Sequence, residues 1–221
     1  MYKRQVLLSS MLGTSIVKVS IDGVSHEYTT INGVVQDVQT LLLNLKGVVI
    51  KPNNGDVTNL CIDVKGPMTV TAGDIQIDND AEIMNKDHVI CEISGKESLK
   101  IDMLAVMGRG YETASSLSAN EVFGNEVNAL YLDASFSPIE SVVYHVDNAR
   151  VGNRTDLDKL TLIVKTNGTI TPDQAIRRVA TIMQHQLSNF ASIHERKNDD
   201  SGSYLDNIDP VYSRLVDELE L

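Results

Sequence analysis

The feature that most constrains the fold is a long amphipathic helix predicted near the end of the sequence. Thr171 is placed to cap it, Pro172 takes the first helical position, Asp173 lies in the first turn and Gln174 takes the capping-box position. Apolar residues then recur at spacings of three and four: Ile176, Val179, Ala180, Met183, Leu187, Phe190 and Ala191. This pattern fits a core helix alone, and it also fits a helix that packs against a partner helix.

Short runs with β-strand character, separated by turn signals, precede this helix. Val17, Val19 and Ile21 alternate in period 2, and Asp22-Gly23 supplies a turn. Further strands are predicted at Val48–Lys51, Leu60–Val64, Met68–Thr71, His88–Ile93, Leu99–Val106, Asn128–Phe136, Ser141–Ala149 and Lys159–Thr166. The polar segment Ser115–Glu126 has no clear period and is predicted to be a loop.

A second helix is predicted over residues 33–46. Its apolar residues fall on one helical face: Val34, Val35, Val38, Leu41, Leu42 and Leu45.

Charge and cysteine content exclude several classes of protein. The chain has 221 residues, with 19 Lys and Arg against 30 Asp and Glu, and a net charge of −11. Phosphate binding depends on an excess of cations, so this charge argues against direct binding to DNA or to an anionic membrane. Cys61 and Cys91 supply neither a disulfide framework nor a metal cage, which favours a reducing cytoplasm. The most apolar stretch, Leu41–Ile50, is too short to span a membrane.

No complete catalytic or metal-binding motif is evident. The histidines are scattered: His26, His88, His145, His185 and His194. Asp78–Glu82 begins like a calcium loop, but Ile83 occupies the glycine position, so an acidic turn is predicted. Gly108–Tyr111 lacks the third glycine of a dinucleotide motif and is predicted to be a turn in which a glycine has positive φ. We therefore expect no catalytic residue, metal or cofactor on this chain.

The segment Arg150–Leu160 is unusually dense in charged groups and lies between two predicted strands. One interpretation is the charged rim of a hairpin. The other is a contact surface in which Arg150 and Arg154 pair with carboxylates of another protein.

The same segment carries a resemblance to a known family. Tyr144–Leu160, Thr166–Ile170 and Ala175–Arg178 closely resemble the amino-terminal domain of bacterial RNA polymerase alpha subunits. Further matches follow in family order: Leu7–Ser10, Ile21–Tyr28, Leu43–Gly47, Val70–Ile75, His88–Cys91, Gly108–Tyr111 and Val216–Leu221.

The resemblance implies an α+β assembly scaffold with two subdomains. A discontinuous dimerisation subdomain, made of a sheet and two helices, is expected over residues 1–12 and 141–221. An inserted, mainly β subdomain is expected over residues 13–140. Such subunits form a homodimer that recruits the beta and beta-prime subunits, so the chain would be a non-catalytic part of a nucleotidyltransferase complex in the cytoplasm.

The resemblance also implies two sets of contact residues. The helix over residues 172–193 is expected to cross a short helix around residues 3–12 of its partner. The expected dimer-interface residues are Leu7, Leu8, Ile176, Val179, Met183, Leu187 and Phe190. The expected large-subunit contacts are Arg4, Lys46, Arg150, Arg154, Thr155, Asp156 and Lys159. Gln5 departs from the family, which has a second arginine there.

Two other functions are alternatives to the scaffold, and the series of matches disfavours both. One is a stand-alone acidic adaptor, and the other is a small metal- or nucleotide-dependent enzyme that uses Gly108–Tyr111 and the acidic turns. The resemblance also implies that the family's first strand and its carboxy-terminal DNA-binding domain lie outside this sequence. Promoter DNA is therefore not expected to bind here.

Overall fold

The structure, a computed structural model, describes residues 2–53, 55, 57–78, 81–119, 128–151 and 154–195. Its elements in chain order are α1 (Tyr2–Ser9), β1 (Leu12–Ile21), α2 (Val38–Lys46), β2 (Ile50–Pro52), β3 (Val57–Lys65), β4 (Met68–Thr71), a 3₁₀ turn (Ala72–Asp74), β5 (Gln76–Ile77), β6 (Ala81–Ile83), β7 (Val89–Ile93), β8 (Ser98–Arg109), β9 (Tyr111–Glu112), α3 (Ala114–Ser118), β10 (Leu130–Tyr131), β11 (Ala134–Ser135), β12 (Ile139–Val151), β13 (Arg154–Thr166) and α4 (Pro172–Glu195). Helices combine with several antiparallel sheets, so the expected α+β class is confirmed.

The largest sheet has five strands in the order β10-β1-β8-β3-β5. In its middle, Met103 of β8 lies opposite Val19 of β1 and opposite Leu60 of β3. All three side chains are buried in the main core. Because alternate residues of a strand share a face, one face of this sheet supplies much of that core.

Val17 does not share a face with Val19, although their period-2 spacing predicts that it should. A register shift after Ile16 makes Val17 an extra residue, and such a β-bulge re-aims the side chains of its strand. Val17 packs instead in a smaller core formed with Leu117, Ala134 and Phe136.

The helix α2 covers the main core and begins later than the sequence predicts. Asp37 caps it, because its Oδ1 accepts a hydrogen bond from the backbone N–H of Thr40 over 3.0 Å. Val34 lies ahead of the cap and forms a β-bridge with Ile93, so its backbone is extended rather than helical. The predicted apolar face is confirmed within the helix itself, where the buried residues are Val38, Leu41, Leu42 and Leu45.

The segment after β8 also differs from the prediction. Asn128–Phe136 does not form one strand: β10 pairs with β1, whereas β11 pairs with β9. The short helix α3 extends into the predicted loop, and Thr113 caps it by accepting a hydrogen bond from the N–H of Ser116. Residues 120–126 of that predicted loop lie outside the described residues.

A long antiparallel hairpin follows. Its strands, β12 and β13, have 13 residues each, with Val143 opposite Ile163 and Val146 opposite Leu160. The helix α1 packs against β12. The hairpin confirms both predicted strands and extends each of them toward the turn between Val151 and Arg154.

The helix α4 confirms the strongest sequence prediction. Its start has the expected cap, because the backbone N–H of Gln174 donates to Oγ1 of Thr171 over 3.3 Å. The chain divides into two units, Met1–Val179 and Ala180–Leu221. Every described strand belongs to the first unit, and the described part of the second is the continuation of α4.

Candidate functional site

The apolar stripe of α4 contains both buried and exposed residues. Val179 is buried, whereas Ile176 is 43% exposed and Leu187 is 63% exposed. Met183 lies between Ile176 and Leu187 at helical spacing and is half-buried. The side chain of Phe190 lies outside the described part of the structure. A row of apolar side chains on this helix is therefore left accessible.

The two dimer-interface residues expected on the short first helix, α1, differ in burial. Leu7 is 1% exposed and belongs to the interior, while Leu8 is half-buried. Because α1 packs against β12, this helix is joined to the hairpin within the chain's own fold. The side chain of Arg4, also on α1, lies outside the described residues.

The carboxyl end of α2 is held by hydrogen bonds from the segment around β7. The side chain of Asn44 donates to the carbonyl of Ile90 over 2.8 Å. Asn85 donates to the carbonyl of Gly47 and accepts from the N–H of Val49. These bonds fix the backbone on both sides of Lys46.

Lys46 forms an ion pair with a residue distant in sequence. Its Nζ lies 3.8 Å from Oδ2 of Asp133, and the two side chains are 34% and 42% exposed, respectively. Sequence reasoning missed Asp133, because nothing in the local pattern joins it to α2. Pairs this exposed contribute little to stability, but they orient the lysine side chain.

Asp133 accepts a hydrogen bond from the backbone of Ala114 and forms an ion pair with Lys46. Its Oδ1 accepts from the N–H of Ala114 over 2.9 Å, and its carboxylate also interacts with Tyr111 and Lys46. The bond from Ala114 is the main reason that the pKa of Asp133 lies below its usual value; the charge of Lys46 and the hydrogen bond from Tyr111 contribute in the same direction. Asp133 therefore links α2 to the segment that begins at β9.

The dense charged segment forms the far end of the hairpin, as one of its two interpretations predicts. Its last ladder pair joins Val151 to Arg154, and Lys159 lies opposite Asp147 and is exposed. The side chains of four expected contact residues lie outside the described part of the structure: Arg150, Arg154, Thr155 and Asp156. The backbone therefore brings these four residues together at the turn end of the hairpin.

The hairpin also exposes apolar side chains that the sequence analysis did not single out. Tyr144, Val146 and Leu160 are all at least 40% exposed. Alternation places Tyr144 and Val146 on the same face, and the register adds Leu160 opposite Val146. The period-2 alternation in Ser141–Ala149 is the sequence pattern from which this exposed apolar face could have been predicted.

No metal-binding group is formed among the described residues, since no three His, Cys, Asp or Glu side chains there are arranged to hold an ion. Cys91 is a core residue, and burial raises the pKa of its thiol to about 11, so the thiol is protonated at neutral pH. Gly110 has a φ of +71°, which confirms the turn predicted for Gly108–Tyr111. Across the described helices, none combines the length and apolar character needed to cross a lipid bilayer.

A comparison with known protein families identifies a family for this chain. The family described as the RNA polymerase Rpb3/RpoA insert domain matches residues 17–137, more than half of the sequence. The matched range covers most of the five-stranded sheet, from within β1 onward, together with α2, α3 and the Lys46–Asp133 pair.

Proposed function

The chain belongs to the RNA polymerase Rpb3/RpoA insert-domain family and is an RNA polymerase subunit of that type, and we propose that it is the alpha subunit of a bacterial enzyme. In this proposal two copies dimerise, and the dimer recruits the beta and beta-prime subunits. Those subunits hold the catalytic centre, and this chain does no bond chemistry. The observation that carries the proposal is the family match over residues 17–137.

The proposal assigns the two functions to two subdomains. The family match lies within residues 13–140, which supports an inserted subdomain of that extent. The helices α1 and α4 and the hairpin fall outside the match. Residues 1–12 and 141–221 would then form the dimerisation subdomain.

The dimer interface in this proposal is built on the accessible stripe of α4. Ile176, Met183 and Leu187 are the residues to be covered by a second copy, with Leu8 of α1 beside the crossing helix. Complete burial of one large aliphatic side chain contributes about 1.5–3 kcal/mol before ordering costs, so several such residues could support a stable dimer. Leu7 and Val179 would support the interface from the interior, since both are buried.

The large-subunit contacts in this proposal come from two places. Lys46 and its helix would face the beta subunit. The charged end of the hairpin would contact the large subunits through the planar guanidinium groups of its arginines and through its other charged side chains. The hairpin set is Arg150, Arg154, Thr155, Asp156 and Lys159, and Arg4 is added on α1. The net charge of −11 fits a chain whose partners here are proteins rather than DNA.

Co-expression with the beta and beta-prime subunits of a bacterial RNA polymerase tests the proposal. We expect the chain to elute at twice its mass of 24.2 kDa when alone, to bind beta, and then to retain beta-prime. A chain that stays monomeric and does not bind beta would contradict the scaffold function.

A matched pair of variants tests the hairpin. Arg154→Ala should weaken binding to the large subunits and leave the dimer intact. Lys165→Ala removes a cation from the same strand, at the end where Lys165 pairs with Glu140 over 2.6 Å, and should have little effect. Loss of the dimer in Arg154→Ala would show that this residue belongs to the other interface.

A further inference from the structure

Two glycines face each other near one end of the ladder between β1 and β8, where Gly13 lies directly opposite Gly108. Opposite residues of an antiparallel ladder share a face, and neither glycine contributes a side chain to it, so a gap is left on that face. Glycines within a strand often mark a place where another part of the chain approaches closely. The residue that approaches here is Phe136, which follows β11.

Phe136 fills this gap with both its ring and its backbone. A Cβ atom at Gly108 would lie 2.8 Å from Cε2 and Cζ of the ring, and one at Gly13 would overlap the carbonyl oxygen of Phe136. The ring is buried in the smaller core with Leu117. The N–H of Phe136 donates to the carbonyl of Gly110 over 2.9 Å. One residue is therefore held by β1, by β8 and by the turn that follows β8.

Phe136 is also close to the point at which the chain passes from the sheet to the hairpin. The family match ends at residue 137, and β12 begins at Ile139. Pro138 lies between them and is buried; its ring fixes φ, and its carbonyl accepts from the N–H of Asn167 over 3.0 Å. Two residues thus connect Phe136 to the hairpin, and this connection is itself tied to the end of β13.

The two regions proposed to contact the large subunits lie on either side of this connection. Lys46 belongs to the part that matches the family, whereas Lys159 belongs to the hairpin. Two contacts on one chain reinforce each other when the geometry allows both to be made at once. A rigid connection also removes the cost of ordering the two regions on binding.

We propose that Phe136 is a positioning residue that locks the hairpin to the five-stranded sheet, and that Gly13 and Gly108 form the slot that holds it. The lock keeps Lys46 and the charged turn end of the hairpin at one separation, so that the large subunits meet them as a single surface. This consequence for binding rests on the proposed function, whereas the lock itself does not.

Leu117 provides a matched control for Phe136. It is 1% exposed and belongs to the same smaller core. Because Leu117 lies on α3, its truncation opens the same core but leaves Phe136 in its slot. A general loosening of this core would therefore affect both variants, whereas loss of the lock would affect one.

Distances between two spin labels test the lock in the full chain. Asp63→Cys on β3 and His145→Cys on β12 place the labels at exposed positions on the sheet and on the hairpin. Cys61→Ser removes the more accessible native thiol, while Cys91 is buried and burial raises the pKa of its thiol, so it escapes labelling. Dilution with unlabelled chain limits the measured distances to those within one copy.

The width of the distance distribution is the readout. Phe136→Ala should increase this width about twofold, because the hairpin loses the packing that holds its connection. Leu117→Ala should leave the width unchanged. An unchanged width in Phe136→Ala, or an equal increase in both variants, would overturn the lock.

An exchange of side-chain size covers the case in which Phe136→Ala does not fold. Gly108→Ala presses a methyl group against the ring, and Phe136→Leu shortens the side chain that fills the slot. Each change alone should lower the melting temperature. In the double variant the methyl group should fill part of the space that the ring leaves, so the loss should be smaller than the sum of the two. Strictly additive losses would show that Gly108 and Phe136 do not form a slot.

Binding to the beta and beta-prime subunits tests the consequence for assembly. Phe136→Ala should weaken this binding at least about tenfold and Leu117→Ala by less than about twofold, with the dimer retained in both. If the unaltered chain binds neither large subunit, the scaffold function fails, and the distance measurement still decides the lock. If Phe136→Ala loosens the hairpin but binds like Leu117→Ala, the scaffold function stands and the positioning role of Phe136 is wrong.

Discussion

His88 Nε2 lies 2.8 Å from the carbonyl oxygen of Asn44 and donates to it, so a side chain from outside α2 satisfies one of the last carbonyls of that helix. Asn44 in turn donates its side-chain amide to the carbonyl of Ile90 over 2.8 Å. The two bonds run in opposite directions between α2 and the start of β7. These two hydrogen bonds fix the carboxyl end of α2, where Lys46 is the last helical residue.

Replacing Asn44 should destabilise the chain, because the carbonyl of Ile90 would lose its donor in a part-buried setting. Asn44→Ala should lower the free energy of unfolding by about 1–3 kcal/mol in denaturant titrations. Gln39→Ala, on an exposed position of the same helix, should change it by less than about 0.5 kcal/mol. Equal effects in the two variants would show that the bond to Ile90 contributes nothing.

Gly13 should not tolerate a side chain. A Cβ atom at this position of β1 would overlap the backbone carbonyl oxygen of Phe136, and a backbone group within a packed fold cannot rotate away. Gly13→Ala should therefore cost about 1–3 kcal/mol or more in thermal or chemical denaturation. The control is Gly73→Ala, where the nearest atom would lie 3.4 Å from the new Cβ; it should stay within about 1 kcal/mol of the unaltered chain.

The cap of α2 should make stability depend on pH. Hydrogen bonds from Thr40 to the carboxylate lower the pKa of Asp37 below its ordinary value of 3.8. A carboxyl group with a lowered pKa in the folded state stabilises the chain at neutral pH, and this contribution is lost as the pH falls through its folded-state pKa. Asp37→Ala should therefore melt at a lower temperature than the unaltered chain at pH 7, and the difference should shrink below about pH 4.

Asp37→Asn is the control for this pH effect. Asparagine also caps helices but does not ionise, so the variant should stay near the unaltered chain at pH 7 and gain relative to it in acid. A difference between Asp37→Ala and the unaltered chain that stayed constant from pH 7 to pH 3 would show that ionisation of Asp37 does not contribute.

The exposed part of α4 should control dimerisation. Leu187→Glu places a charge at a residue of the apolar stripe that is 63% exposed, and it should weaken the dimer at least tenfold, which corresponds to about 1.4 kcal/mol. His185→Glu introduces the same charge on the opposite side of the helix and should leave the dimer unchanged. Sedimentation equilibrium measures the dimer dissociation constants of both variants. An unaltered constant in Leu187→Glu would exclude this stripe as the interface.

Features encoded over a few neighbouring residues could be predicted from the sequence. The cap at Thr171 and the stripe that follows it predicted α4, and alternation in Ser141–Ala149 predicted β12. The start of α2 could not be predicted in the same way. Val34 has helical spacing to Val38, but its bridge to Ile93 depends on residues that are distant in sequence.

The candidate site shows the same limit. The resemblance identified Lys46, but its partner Asp133 belongs to a segment predicted as one strand and observed as two short ones. That segment is divided between two ladders because β10 pairs with β1, whereas β11 pairs with β9. Pairings of this kind depend on the whole fold, so neither Asp133 nor its ion pair with Lys46 could be derived from local periodicity.

The β-bulge in β1 also allows the strand to supply one extra apolar residue to the smaller core without moving its other side chains to new faces. With Val17 as an extra residue, Val19 faces the main core and Lys18 lies opposite Leu104 on the other face. Deleting Val17 would restore even pairing and leave the later residues on their present faces, because Ile16 and Val19 already face the main core with Lys18 on the other side. The deletion would instead remove a fully buried side chain from the smaller core, so we expect relatives to keep a small apolar residue at this position.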